Sequence, residues 1–155
     1  MSALAVDLVR ADCAEVLKGR VEQLTALKNE TILVTGGTGF VGTWLAEMVA
    51  YLNDEHRFGT RLHLMARSTE RFAKHYPHLA GRKDLTLIRQ DVRDLVEAPK
   101  ETGWLIHAAG NPNNRFHSSN PVETMAVIAD GTMAALRAVE RCSQFKTFLN
   151  ISSGW

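Results

Sequence analysis

A chain of 155 residues with 45% hydrophobic and 23% charged side chains has the size and balance of one globular domain with a single core, which excludes a disordered or fibrous role. Its formal net charge of +1, with Lys and Arg interspersed among acids, offers no basic field for nucleic acid, and no apolar run reaches the roughly 20 residues that span a bilayer. The N-terminus carries acids among its apolar residues and lacks a signal-peptide core, so the sequence reads as cytoplasmic, with Cys13 and Cys142 as two reduced core thiols, neither of them catalytic.

The segment Leu4 to Lys28 sets Leu4, Leu8, Cys13, Val16, Leu17, Val21, Leu24 and Leu27 at mostly three- and four-residue steps, which predicts one amphipathic helix. From Thr31 onward short apolar runs alternate with helical stretches. Strands are predicted at Ile32 to Thr35, Leu62 to Ala66, Leu85 to Ile88, Trp104 to Ala109 and Thr147 to Ile151. Helices are predicted from Phe40 to Leu52, in a short polar stretch after Ala66, and from about Pro121 to Cys142. Buried runs without alternation, separated by helices, define βαβ units in a parallel sheet covered on both faces. The expected organisation is an N-terminal helical extension over 1–30 and an α/β domain over 31–155. The strongest breakers lie at Gly36 to Gly39, Asn53 to Gly59, Gly81 to Asp84 and Gly110 to Pro121, and two of these loops follow strand ends, where open α/β sheets bind ligands.

The first strand runs into Thr35-Gly36-Gly37-Thr38-Gly39-Phe40-Val41-Gly42, which opens the amphipathic run Trp44, Leu45, Met48, Val49 and Leu52. Gly36 permits a sharp turn, Gly39 admits a pyrophosphate close to the backbone, and Gly42 lets helix and strand pack closely. The helix N-terminus adds unpaired N–H groups and partial positive charge. Strand, glycine turn and helix within a βαβ series predict a doubly wound sheet of Rossmann type that binds a dinucleotide. A Walker-type phosphate loop is excluded, because Gly42-Thr43-Trp44 lacks the required Gly-Lys-Ser/Thr ending.

Across nearly all of Thr31 to Trp155 the sequence resembles the extended short-chain dehydrogenase/reductase family. Gly36, Gly39 and Gly42 match its Thr-Gly-x-x-Gly-x-x-Gly turn position by position, and the literal Gly37-x-Gly39-x-x-Gly42 match is a by-product of the double glycine. Gln90-Asp91-Val92 looks like the element whose Asp and following main chain meet the adenine. His107-Ala108-Ala109-Gly110 looks like the element that passes beneath ribose and nicotinamide, and Phe148 to Ser153 looks like the fifth-strand element ending on a catalytic hydroxyl. The resemblance thus implies cofactor contacts from Gly36, Thr38, Gly39, Phe40, Val41, Gly42, Asp91, Val92, Ala108, Ala109 and Gly110, and a catalytic role for Ser153 with Ser152 in reserve. The family's Tyr-x-x-x-Lys pair, which handles the substrate proton, is absent: Tyr51 precedes Glu55 and Tyr76 precedes Ala80. The expectation is therefore the cofactor half of a longer enzyme, which alone binds without turning over.

At the end of the second strand, where an NAD site commonly has an acid, the sequence reads Met65-Ala66-Arg67-Ser68-Thr69. Arg67 can pair bidentately with a 2′-phosphate and the hydroxyls can assist, which favours NADP over NAD; stacking of Arg67 on the adenine is the alternative. The polar segment Asn111 to His117 is read as a loop beside the nicotinamide, able to bind a sugar or pyrophosphate or simply to form a polar surface turn. The stretch His107 to Thr132, with Asn120-Pro121-Val122-Glu123-Thr124 and Gly131-Thr132, is most similar to the nucleotide-sugar epimerase, dehydratase and decarboxylase branch, although Ile128 stands where that branch usually has Asn. The resemblance implies a nucleotide-sugar partner, and a homodimer through helices of this domain. A metal is not expected, because His75 and His78 form the only close pair and Pro77 interrupts their helical spacing. Charges in Glu97 to Glu101 and Arg137 to Lys146 are read as solvated. The competing functions are an NADP-dependent carbonyl or thioester reductase, which the stretch Leu64 to Ser68 also resembles, and a dinucleotide-sensing module without catalysis.

Overall fold

The computed structural model describes residues 3–111 and 113–152. Five parallel strands form one sheet in the order β3-β2-β1-β4-β5, with β1 Thr31–Thr35, β2 Arg61–Ala66, β3 Leu85–Arg89, β4 Thr102–His107 and β5 Thr147–Asn150. The chain winds outward through β2 and β3, then recrosses β1 to build β4 and β5. The order therefore reverses between β1 and β4, and the crevice outside their carboxyl ends is the ligand position such sheets provide. Every residue of β1 is buried, as a central strand covered on both faces requires.

One face of the sheet presents Ile32, Val34, Leu62 and Leu64 to Ala46, Val49 and Ala50 of α2 (Phe40–His56), with Phe72 of α3 (Glu70–His75) and Leu79 of α4 (Pro77–Ala80) closing that side. The other face presents Leu33, Met65 and Leu105 to Val92, Leu95 and the Ala135, Ala138 and Val139 row of α7 (Gly131–Val139). The expected doubly wound architecture is present.

Several element boundaries depart from the periodicity: the fourth strand, expected at Trp104 to Ala109, spans Thr102–His107, and the helix expected to end at Leu52 runs on to His56. The expected helix of 4–28 is broken: α1 (Ala3–Leu17) ends where Gly19 adopts φ +71, and a 3-10 segment follows over Val21–Leu27. Both pieces still use the apolar stripe, because Leu17, Val21, Leu24 and Leu27 pack with Leu52 and Phe58. Pro77 divides the polar stretch into α3 and α4, as its missing N–H dictates. The loop expected after β4 contains α5 (Asn114–Ser119), capped by Asn113. The long helix from Pro121 comprises α6 (Pro121–Met125), a π-helical segment Ala126–Asp130 and α7, and ends at Val139. In the last turns of α2, Asn53 ties the helix to the approaches to β2 and β3: its amide donates to the Thr60 carbonyl at 2.8 Å and to Asp84 Oδ2 at 2.7 Å, and it accepts from the Thr60 N–H at 2.9 Å.

Candidate functional site at the carboxyl end of the sheet

The glycine turn connects β1 to α2. Gly36 has φ +67, and a Cβ there would lie 2.5 Å from the Ala108 carbonyl oxygen, so the turn and the start of the loop after β4 meet backbone to backbone. Gly37 is equally constrained: its Cβ would lie 2.8 Å from Leu64 Cα, and its N–H donates to the Met65 carbonyl at 2.9 Å. It is therefore a packing requirement. Gly42 lets α2 approach the turn itself, since a Cβ there would overlap the Gly37 main chain; the expected close partner was the strand. Gly39 caps α2 without a side-chain bond, leaving the first-turn N–H groups, from Phe40, Val41 and Gly42, without intrahelical acceptors. Phe40 is exposed, and a Cβ at Gly39 would meet only the Gly36 carbonyl. The outer side of the turn is thus an open, N–H-lined cradle of the kind that suits a diphosphate.

At the end of β2, Arg67 is exposed and its charge acts on Asp91 across the gap to β3. Thr38 Oγ1 donates to the Ser68 carbonyl at 3.4 Å, linking the glycine turn to this loop. Ser68 Oγ and the Thr69 N–H are both engaged by Glu70 Oε2, at 2.8 and 3.1 Å, and Glu70 Oε1 pairs with Arg89 at 2.9 Å. Sequence reading overlooked Glu70 because it falls after the strand, at the start of α3.

Asp91 caps the short turn Val92–Asp94 by accepting from the Arg93 N–H at 3.0 Å, and its carboxylate is also held by the Arg93 guanidinium at 3.1 and 2.9 Å. The Arg93 fork keeps the Asp91 carboxyl below the usual range. Arg93 also pairs with Glu123 at 2.9 Å, fastening this loop to α6. Val92 packs beneath Gly131, where a Cβ would come within 2.9 Å of its Cγ1, so α7 sits tight against the loop. Neither Arg93 nor Glu123 was singled out from sequence; the two-residue spacing from Asp91 was the available signal for Arg93.

Between β1 and β4, Thr35 Oγ1 and His107 Nδ1 form a buried hydrogen bond of 2.7 Å, and burial pushes the His107 pKa below 6.5. The Ala108 N–H donates to the Thr35 carbonyl at 3.0 Å, after which Ala108, Ala109 and Gly110 leave the sheet along the crevice; nothing lies within 4 Å of a Cβ placed on Gly110. The Ile151 N–H donates to the His107 carbonyl at 2.9 Å, which sets exposed Ser152 at the same end of the sheet. Ser153 lies outside the described residues.

The Asn111 to His117 segment spends much of its polarity on itself. Asn113 accepts from the Arg115 and Phe116 N–H groups, Asn111 Oδ1 accepts from the Asn113 N–H, and the His117 imidazole bonds the Asn111 carbonyl. Beside the glycine turn, a cleft of about 640 Å³ is bounded by Val9, Thr38, Phe40, Trp44, Arg71 and Tyr76. Both cysteines are buried thiols; burial pushes Cys13 up to about 11 and raises Cys142, which suppresses the reactive thiolate. Among the described residues no three His, Cys, Asp or Glu side chains converge as a metal site, and no helix is long and apolar enough to cross a membrane.

A parallel sheet with this strand order, a glycine turn at its switch point and helices on both faces defines a nucleotide-binding fold of Rossmann type. Residues 32–155 match the NAD dependent epimerase/dehydratase family, and the chain belongs to that family. A search of curated proteins finds no match. Among solved structures, similarity extends to the Bordetella bronchiseptica enzyme WbmF in complex with NAD+, at 18% identity and TM-score 0.63, covering 81% of this chain and 36% of that one. An epimerase from Methanothermobacter thermautotrophicus is similar at 22% identity and TM-score 0.69, covering 86% and 38%. UDP-N-acetylglucosamine 4-epimerase from Methanobrevibacter ruminantium, in complex with UDP-N-acetylmuramic acid, is similar at 18% identity and TM-score 0.59, covering 78% and 37%. The chain thus spans little more than a third of the length of these structures.

Proposed function

We propose that the protein acts on a nucleotide-sugar as an epimerase, 4,6-dehydratase or decarboxylase, working by transient oxidation at a sugar carbon with NAD held at the carboxyl end of the sheet. The observation that carries this reading is the backbone contact of Gly36 with Ala108, which brings the N–H-lined turn and the segment Ala108 to Gly110 to one crevice at the switch point. Gly36, Thr38, Gly39 and the first turn Phe40, Val41 and Gly42 would hold the diphosphate, Asp91 and Val92 the adenine, and Ala108, Ala109 and Gly110 the ribose and nicotinamide. NAD bound there supplies reversible acceptance of a hydride from the sugar. Ser153 is assigned the hydrogen bond to the substrate oxygen, with Ser152 in reserve. His107, kept neutral by burial and bonded to Thr35, holds the end of β4 in place. The nucleotide-sugar assignment draws support from WbmF, also solved with NAD+ and UDP, and from the 4-epimerase above.

In this reading the protein works in the cytoplasm, where its two cysteines stay reduced, and pairs with a second copy through exposed Val122, Met125, Ile128, Met133 and Leu136 of the long helix. The domain division at 30/31 follows the change from helical extension to sheet. An NADP-dependent carbonyl or thioester reductase is the second reading, favoured by exposed Arg67 at the end of β2. Incubation of the longer enzyme that carries this domain with NAD and a panel of UDP- and dTDP-hexoses tests the first: epimer or 4-keto product formed without net loss of NAD supports it. Stoichiometric consumption of NADPH with a carbonyl or thioester substrate selects the second, and dinucleotide binding by that longer protein with neither reaction leaves a sensing module.

A further inference from the structure

Glu70 opens α3 beyond the strand end where Arg67 is exposed. Its carboxylate collects a hydroxyl from Ser68 at 2.8 Å, a main-chain N–H from Thr69 at 3.1 Å and the Arg89 guanidinium at 2.9 Å. A hydroxyl, an N–H and a guanidinium converging on one anion form the donor set that a phosphate uses. Here the anion comes from the chain itself. The corner is tied to the glycine turn through Thr38 Oγ1 to the Ser68 carbonyl and through the Gly37 N–H to the Met65 carbonyl. It therefore lies at the end of the second strand, where the adenosine ribose of a dinucleotide sits in such folds.

Resting on the dinucleotide reading above, we propose that Glu70 is a specificity-determining residue that selects NAD over NADP: its carboxylate fills the anion position formed by Ser68, Thr69 and Arg89, excluding a 2′-phosphate while offering the ribose hydroxyls an acceptor. A 2′-phosphate entering this corner must break three interactions of Glu70 or lie against its charge. Arg67 stands at the same strand end, where its charge also acts on Asp91. Hydrogen bonds from its own main chain and from Ser68 hold the Glu70 carboxyl below its usual range, so it stays ionised at neutral pH. The corner is open to water, with Glu70 61% and Arg89 71% exposed, so the discrimination weakens as salt rises.

Calorimetric titration of the protein with NAD, NADP, 5′-ADP and 2′,5′-ADP at low ionic strength reads the adenosine end without requiring turnover. The wild type is expected to bind NAD about tenfold tighter than NADP. Glu70→Gln and Glu70→Ala are each expected to raise affinity for NADP and 2′,5′-ADP about tenfold, with NAD and 5′-ADP changed by less than about threefold. Arg89→Ala added to Glu70→Ala should remove the gain. Unchanged NADP affinity in both Glu70 variants with NAD binding intact, or a wild-type preference for NADP, overturns the role of Glu70 and leaves the dinucleotide reading standing. Absence of binding to all four ligands by the wild type overturns both.

Discussion

Gly37 shows how a residue that carries no chemistry can decide whether a site exists. A methyl group there would press on Leu64 Cα and the Val34 carbonyl, both at 2.8 Å and both in strands that cannot move independently. Gly37→Ala is expected to cost about 1–3 kcal/mol, the range for overpacking in a dense interior, read as a lower urea midpoint. Gly36→Ala adds a left-handed backbone penalty of about 1–2 kcal/mol and pushes against Ala108, so dinucleotide affinity should fall with stability. Binding and midpoint both unchanged would remove the contact from the argument.

The Thr35–His107 bond sits beneath the same turn. Thr35→Val leaves the His107 Nδ1 without its buried partner, at an expected cost of about 1–3 kcal/mol. Burial lowers the folded-state pKa of both His107 and His63 from 6.5. The unfolded chain therefore takes up protons at a pH where the folded chain does not, and the stability present above about pH 6.5 is lost as the pH falls toward the folded-state values. Urea midpoints between about pH 8 and about pH 5 should decline in that direction, and His107→Asn should flatten the decline. A midpoint that rises on acidification contradicts the burial argument.

At the scale of elements, the N-terminal segment holds to the domain by packing and by ion pairs. Leu17 is 3% exposed against Leu52 and Phe58, while Arg10 bridges Asp54 at 3.2 Å and also pairs with Glu55. Leu17→Ala is expected to cost about 2–5 kcal/mol, because the cavity opens between two helices rather than at the surface. The exposed Arg10 pairs should contribute less than about 1 kcal/mol and fade with salt. Denaturation of the two variants at low and high salt separates these contributions; a larger loss from Arg10→Ala than from Leu17→Ala would reverse the ranking.

For the whole molecule, the helix from Pro121 to Val139 presents one face to the core and another to solvent. Ala135, Ala138 and Val139 are buried on Met65 and Leu105, whereas Met133 and Leu136 remain 50% and 39% exposed. If the protein pairs with a second copy as proposed, Met133→Glu with Leu136→Glu should shift sedimentation from dimer to monomer while leaving the fold intact, because neither side chain supports the core. A wild type that sediments as a monomer removes that part of the proposal.

The parallel sheet, its covered faces and the glycine turn were legible in the linear sequence because each leaves a local mark: unbroken apolar runs, helical periodicity, and glycines at fixed steps after a strand. The break in the first helix was less legible, since the apolar stripe continues past Gly19 and only the left-handed backbone there shows where the helix stops. The corner formed by Ser68, Glu70 and Arg89, the Asp91–Arg93–Glu123 chain and the Thr35–His107 bond join residues from different elements. Sequence determined that a strand, a turn and a helix would form the cradle. Only tertiary structure decided which charges meet at its rim, because those meetings depend on strand order and register rather than on any local pattern.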